Sequence, residues 1–373
     1  MCIVLLTTSH PKYALVVIDN RDEYILRPTS RPHWWKAIPE KPTLNGTVNE
    51  STTTAPPQEV DILSSRDQQR AEQGTWLGIT KGGNFAVLTN YRETDTHDAA
   101  RPVHGTRSRG GMVTAWLGAD PSESTQDFVN RMLDDGGVKG VGGFSLICGK
   151  LRKGKGDKNI EPLAIISNRC DHAGQVPWIC GSRGSVYGLS NATYLHKEQE
   201  TEAELWPKIR DGRHLLNQVV SEATRDEYDE KKLQDALFQI LDQDNFPSDH
   251  TMDLEEGIPL LKHSIYIPAF GGKSHQEQME EAQKRGTVSK PDCDSPAAEA
   301  LTIVARPDDA PNGFQTGLYG TQRQTIILVD WEGNVTYTER ALWDSNGNPI
   351  PRGSGDETFR FSIEGWAGNE LPN

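Results

Sequence analysis

The stretch that decides the reading is MCIVLLTTSHPKYALVVIDNRDEY, residues 1–24. Residues 2–8 and 14–18 are apolar runs, and Ser9-His10-Pro11-Lys12 between them has turn chemistry, so the pair reads as a β-hairpin. Such a hairpin returns the segment Asn20-Arg21-Asp22-Glu23 to the chain start, beside Cys2. Two readings of Cys2 then compete. Free cysteine is among the most buried residue types, and by type alone Cys2 is a small apolar residue beginning a strand. If Met1 is removed, however, Cys2 carries both a thiol and an α-amine. That amine ordinarily titrates at about 7.7–8.0, near enough to neutrality to take the thiol proton itself. In this reading Asp22 anchors the α-ammonium and Arg21 polarises the thiolate. The plainer alternative is a solvated turn holding a weak ion pair.

Working outward, residues 27–73 dissolve into a polar segment around TLNGTVNESTTTAPPQE, with Trp34 and Trp35 at its start. A second hairpin follows, with residues 75–80 and 85–89 flanking Lys81-Gly82-Gly83-Asn84. Residues 112–117 read as a strand, and residues 121–133 as a helix with Phe128, Val129, Met132 and Leu133 on its apolar face. Strands are expected at 144–149, 163–167 and 186–189, then helices at 207–220 and 231–241, and last strands at 300–305, 324–329, 335–340 and 359–363. Helices clustered between two sets of hairpin-linked strands lack the βαβα alternation of a parallel sheet. The expected class is α+β, a four-layer αββα sandwich of two mostly antiparallel sheets between helical layers. Length alone would divide 373 residues into two domains; the reading here is one domain over 1–373, with flexible insertions at about 40–70 and 271–297.

A net charge of −14 disfavours nucleic acid and anionic membrane surfaces as partners. The run at residues 3–6 is too short for a secretory signal, and no window is apolar enough to span a bilayer. The five cysteines, Cys2, Cys148, Cys170, Cys180 and Cys293, show no paired metal-ligand spacing. No metal site is expected, and a reducing, cytoplasmic compartment is the simplest reading. The sequons at Asn45, Asn49, Asn191 and Asn334 then go unused.

Three further polar residues sit where strands end or begin. Asn90 and Asn191 are side-chain amides of the kind that donate to a developing oxyanion, and also ordinary turn residues. Arg323 offers a late cation ahead of a strand, with surface exposure as its alternative.

The blocks MCIVLL, VVIDNRDEY, GTWLGIT, LTNYRE, YGLSN and YGTQRQTIILVD resemble, in order and spacing, the NRDE family, also called the transport and Golgi organization 2 family. The resemblance runs from residue 2 to about residue 340. It implies an N-terminal-nucleophile-hydrolase-like fold, shared more distantly with bile-salt hydrolases and penicillin V acylases. By motif, Cys2 matches the nucleophile, Asp22 the carboxylate orienting its amine, Asn90 and Asn191 the oxyanion-side amides, and Arg323 the late arginine. Two departures stand out. The acylases carry their early arginine three residues before the aspartate, where this chain has Asp19, while Arg21 is adjacent to the aspartate. The family's arginine after Tyr-Gly-Thr is here Gln322, with Arg323 one place later. The resemblance implies lipid-like or acyl-coenzyme A ligands and no required cofactor. The alternative is a non-catalytic carrier of such ligands or of haem. It also implies a place in Golgi organisation, secretion and lipid or haem homeostasis, in the cytoplasm or in association with Golgi or mitochondria.

Overall fold

The opening hairpin forms as its residues dictate. Strand β1 (Ile3–Thr7) pairs antiparallel with β2 (Tyr13–Tyr24), Ile3 opposite Asn20 and Thr7 opposite Val16. The structure is a computed structural model describing residues 2–39, 59–69, 72–91, 109–134, 136–139, 141–154, 158–192, 194, 205–288 and 315–367. After the hairpin come β3 (His33–Ala37), β4 (Val60–Ser64), β5 (Leu77–Thr80) and β6 (Asn84–Tyr91), then helices α1 (Gly110–Leu117) and α2 (Thr125–Asp134). Strands β7 (Gly143–Lys150), β8 (Leu163–Ser167), β9 (Trp178–Ile179) and β10 (Val186–Ser190) lead into α3 (Pro207–Arg225), α4 (Glu230–Leu241), α5 (Leu254–Gly257) and α6 (Lys273–Gln283). Strands β11 (Tyr319–Asp330), β12 (Asn334–Ala341) and β13 (Asp356–Ser362) follow.

The strands make two antiparallel sheets, ordered β10-β1-β2-β11-β12-β13 and β3-β4-β5-β6-β7-β8-β9. Alternating side chains explain the layering. Val4, Leu6, Leu15, Val17 and Ile327 meet Leu63, Ile79, Phe85, Val87 and Ile165 in the core between the sheets. Their neighbours Ile3, Leu5, Val16, Ile18, Ile326 and Leu328 face the other way, against Leu216, Val220, Leu237 and Leu241 of α3 and α4. On the far side, Ala86, Leu88, Leu146 and Ile166 pack under Trp116, Leu117, Phe128 and Val129 of α1 and α2. Because both faces of the central strands are covered, those strands read as unbroken apolar runs rather than alternating ones. Fully burying one such leucine contributes about 1.5–3 kcal/mol. The result is the four-layer α+β architecture expected.

Several local expectations fail. The strand expected at 112–117 is helix α1, whose buried Met112, Val113, Trp116 and Leu117 recur at helical spacing; so short a run did not separate the two periods. The polar stretch at 27–73 is not one insertion. Strands β3 and β4 lie within it and pair with each other, and β4 continues to β5. Part of the second supposed insertion is α6, docked through buried Met279 and Ala282. Residues 40–58, 289–297 and the strand expected at 300–305 lie outside the described residues.

Candidate functional site

Register places the candidate residues. Continuing the β1–β2 and β1–β10 ladders one residue past Ile3 sets Cys2 between Arg21 and Asn191. Arg21 in turn pairs with Arg323, and Arg323 with Ala341. Asn191, Cys2, Arg21 and Arg323 therefore form one row across four strands, at the end of the sheet where the chain begins. Asp22 is next in sequence but on the opposite face, with Asn20. Asn20 donates to the carbonyls of Leu241 and Ile265 at 2.8 and 2.9 Å, while Asp22 Oδ1 accepts from Thr321 Oγ1 at 2.7 Å. The sixth candidate, Asn90, comes from the other sheet: Asn191 Nδ2 donates to the Asn90 carbonyl, and Thr89 Oγ1 to the Ser190 carbonyl at 3.0 Å. The Asn191 side-chain amide thus meets the main chain of the second sheet at Asn90.

Each member of the row is held by neighbours. The Ser190 hydroxyl donates to the Cys2 carbonyl at 2.7 Å, fixing the first residue of the strand. Arg21 donates to Gln322 Oε1 at 2.7 Å and Thr29 Oγ1 at 3.2 Å, and its guanidinium lies 4.6 Å from the centre of the Trp76 ring. Arg323 donates to the Trp343 carbonyl at 2.9 Å, and its Nε lies 3.7 Å from Glu339 Oε1. The other Glu339 oxygen accepts from Ser65 Oγ at 2.6 Å, a link from β12 across to the residue following β4.

A strap of residues 262–267 encloses the Asp22 side. The Lys262 carbonyl accepts from the Lys208 N–H at 3.1 Å, the Ile265 carbonyl from Asn20, and the Ile267 N–H donates to Thr321 Oγ1 at 2.9 Å. The first turn of α3 is tied in this way to the signature end of β2. Lys208, second residue of α3, is completely buried.

Burial dominates the electrostatics. Cys2 is 4% exposed, and burial, with the negative charges of Asp19 and Asp22, pushes its thiol up to about 12. Met1 precedes Cys2 here, and Arg21 is the register neighbour of Cys2 on β2. Burial and the nearby Asp22 charge push Asp19 up to about 8, and burial lowers Arg323 to about 9 against the pull of Glu339. Burial also raises Asp22, while the N-terminal ammonium first, then Lys208 and the Thr321 bond, oppose that rise. Among the described residues no group of three or more His, Cys, Asp or Glu side chains could hold a metal ion, and no helix is long and apolar enough to cross a membrane.

A profile described as Transport and Golgi organisation 2 matches residues 1–344. The chain belongs to the transport and Golgi organisation 2 family. Members of this family similar to it include the transport and Golgi organization protein 2 homologs of Homo sapiens and Bos taurus, each 28% identical over 352 residues, covering 93% of this chain and 95% of the relative. An uncharacterized protein of Saccharomyces cerevisiae is 24% identical over 354 residues, covering 93% of both chains. Among solved structures, the chain is similar to penicillin V acylase from Agrobacterium tumefaciens, with 11% identity, 97% and 86% coverage of this chain and that one, and TM-score 0.33. It is similar also to a C2A mutant of conjugated bile acid hydrolase from Clostridium perfringens, with 10% identity, 100% coverage of both and TM-score 0.31.

Sequence reasoning missed several residues around the row of this transport and Golgi organisation 2 chain. Trp76 and Gln322, which hold Arg21, stand inside the blocks GTWLGIT and YGTQRQ, as does Thr321, which holds Asp22. Each was legible as part of a motif but not as a contact. Glu339 lay in an expected strand with nothing to mark it. Lys208 gave no signal, since a lysine after the first proline of a helix ordinarily faces solvent.

Proposed function

We propose that this chain is a cysteine hydrolase of the N-terminal-nucleophile type, acting on an acyl amide, ester or thioester. The observation that carries the reading is the single row of Asn191, Cys2, Arg21 and Arg323, with Asp22 beside it and the main chain of Asn90 reaching Asn191 from the second sheet. Removal of Met1 gives Cys2 a free α-amine. The amine takes the thiol proton as sulfur attacks the acyl carbon; amide N–H groups of Asn90 and Asn191 receive the oxyanion. The leaving amine, alcohol or thiol departs with that proton, and water then cleaves the acyl-cysteine. Before that amine is released the buried, protonated thiol is inert, which suits a nucleophile unmasked by processing. The ligand class is lipid-like, with long-chain acyl-coenzyme A as the first probe. The site of action is cytoplasmic, in association with Golgi or mitochondria; the relatives' names, transport and Golgi organization protein 2 homologs, support the Golgi part of this reading.

The test is intact-mass measurement of the purified chain before and after incubation with palmitoyl-coenzyme A. A wild-type chain lacking Met1 gains one acyl group, and Cys2→Ala does not. Equal acylation of both chains refutes the reading. The burial of Cys2 favours a second reading, a carrier that binds an acyl-coenzyme A or haem without turnover. In that case Cys2→Ala binds the ligand like wild type, and a haem titration followed at the Soret band separates the two ligands.

A further inference from the structure

Lys208 is the buried cation that the scheme above leaves idle. It is 0% exposed, among the largest fully buried side chains of the molecule. Its place is unfavourable three ways. A lysine is almost never fully buried without a partner, burial penalises its charge, and it sits in the first turn of α3, where the helix dipole favours anions. That first turn carries no acidic residue. Local rules broken together at one position mark a functional site more often than a structural one.

The geometry fixes what Lys208 serves. Ile209, its neighbour, packs on Gly188 of β10, whose sheet partner is Leu5 of β1, and Gly212 packs on Leu5. The strap at 262–267 takes the Lys208 N–H at one end and holds the Thr321–Asp22 pair at the other. The ammonium lies 6.0 Å from the Trp206 ring centre, and the groups that favour its charge are Asp22 first and then Cys2 in its thiolate form. The other charged groups facing Cys2 and Asp22 are the N-terminal ammonium, which acts on Asp22 more strongly than Lys208 does, Asp19 and Arg21 from β2, Arg323 from β11 and, behind Asp19, Glu339 from β12. Arg21 and Arg323 are committed to Gln322 and Glu339 on the face between the sheets. Lys208 approaches from the helical face, the one that carries Asp22.

We infer that Lys208 is a positioning residue that keeps Asp22 ionised, so that Asp22 can hold the α-ammonium of Cys2 and the Cys2 thiolate can form. This rests on the nucleophile reading of Cys2. With Lys208 neutral, Asp22 takes up a proton in its buried site. The amine of Cys2 then loses its anchor, and the thiolate loses a stabilising cation.

The experiment follows alkylation of Cys2 by iodoacetamide in the processed chain as a function of pH, read peptide by peptide by mass spectrometry so that Cys148, Cys170, Cys180 and Cys293 are scored separately. Lys208→Met shifts the Cys2 midpoint upward by at least about one pH unit, slowing alkylation near neutrality about tenfold, and Lys208→Arg restores most of the wild-type profile. A folded Lys208→Met with the wild-type midpoint overturns the inference. If Lys208→Met does not fold, the Asp22→Asn/Lys208→Met double variant, uncharged on both sides, decides the matter. Recovery of the fold upholds the pairing, and a double variant as unfolded as the single one overturns it. Alkylation needs no substrate, so the two proposals fail separately. A flat Lys208→Met profile removes Lys208 alone, whereas a responsive Cys2 that never accepts an acyl group removes the hydrolase reading alone.

Discussion

Asn20 is the most exacting test of how the signature segment is built. Its side chain is fully buried and spends both amide protons on main-chain carbonyls, Leu241 at the end of α4 and Ile265 in the strap. Asn20→Asp keeps the shape and removes the donor. At neutral pH a carboxylate oxygen would stand about 2.8 Å from two carbonyl oxygens, with both carbonyls orphaned. An unsatisfied buried group costs about 1–3 kcal/mol, and an uncompensated buried charge adds to that, so about 3–5 kcal/mol is expected. With unfolding entropy of about 2.1 cal/mol/K per residue, 373 residues give about 1.3 °C per kcal/mol, a fall in Tm of about 4–6 °C. The sign of the pH dependence follows. The new carboxyl has its folded pKa raised above the unfolded value, so the penalty is smallest below about pH 4 and grows as pH rises. Protonated, it can still donate to one carbonyl, which leaves about 1–2 kcal/mol. Scanning calorimetry of variant and wild type at about pH 4.5 and about pH 7.5 gives the two differences. A variant within about 1 °C of wild type at the higher pH, or an equal loss at both, refutes the clamp.

Two further perturbations probe the neighbouring layers. Asp19, pushed up to about 8 first by burial and then by the Asp22 charge, favours folding in its protonated form. That contribution is complete below about pH 4 and is lost as pH rises through about 8, so Asp19→Asn should flatten the fall of Tm between about pH 5 and about pH 9; an unchanged slope contradicts it. Gly188 lets α3 dock, since a Cβ there would lie 2.8 Å from Ile209 Cγ2 and 3.0 Å from Leu5 Cδ2. Gly188→Ala should cost about 1–3 kcal/mol by urea unfolding, and a silent substitution would mean that α3 can shift without loss.

How much of this was legible in the sequence depends on what each residue had to signal. The hairpin of β1 and β2 was legible because two apolar runs flank an unmistakable turn, and from it the adjacency of Cys2, Arg21 and Asp22 followed. The faces were not. Strand periodicity puts Arg21 and Asp22 on opposite sides, one toward the second sheet and one toward α3, a distinction visible only once both sides are known to be covered. Strand β4 was hidden because Val60 to Ser64 follow a long polar run, and its burial comes from partners on both sides rather than from local pattern. Helix α1 was misread because its apolar residues satisfy both periods over so short a span. Lys208 was invisible for a different reason: its burial is imposed by the strap at 262–267, which no local rule predicts.

The last block carries a bulge that sets the faces of its side chains. Thr321 pairs with Asp22 and Arg323 with Arg21, so one extra residue, Gln322, sits in β11 opposite the β2 pair. Such a bulge changes the phase of a strand by one residue. Without it Thr321 and Arg323 would share a face; with it Thr321 reaches Asp22 on the helical side while Arg323 turns to Glu339 on the other. Gln322 fills the bulge. It accepts from Arg21 at 2.7 Å and donates to the carbonyls of Ile25 and Arg27 at 3.1 and 3.2 Å. Arg323 thereby lies in the row of Cys2, and Gln322 becomes the brace for Arg21.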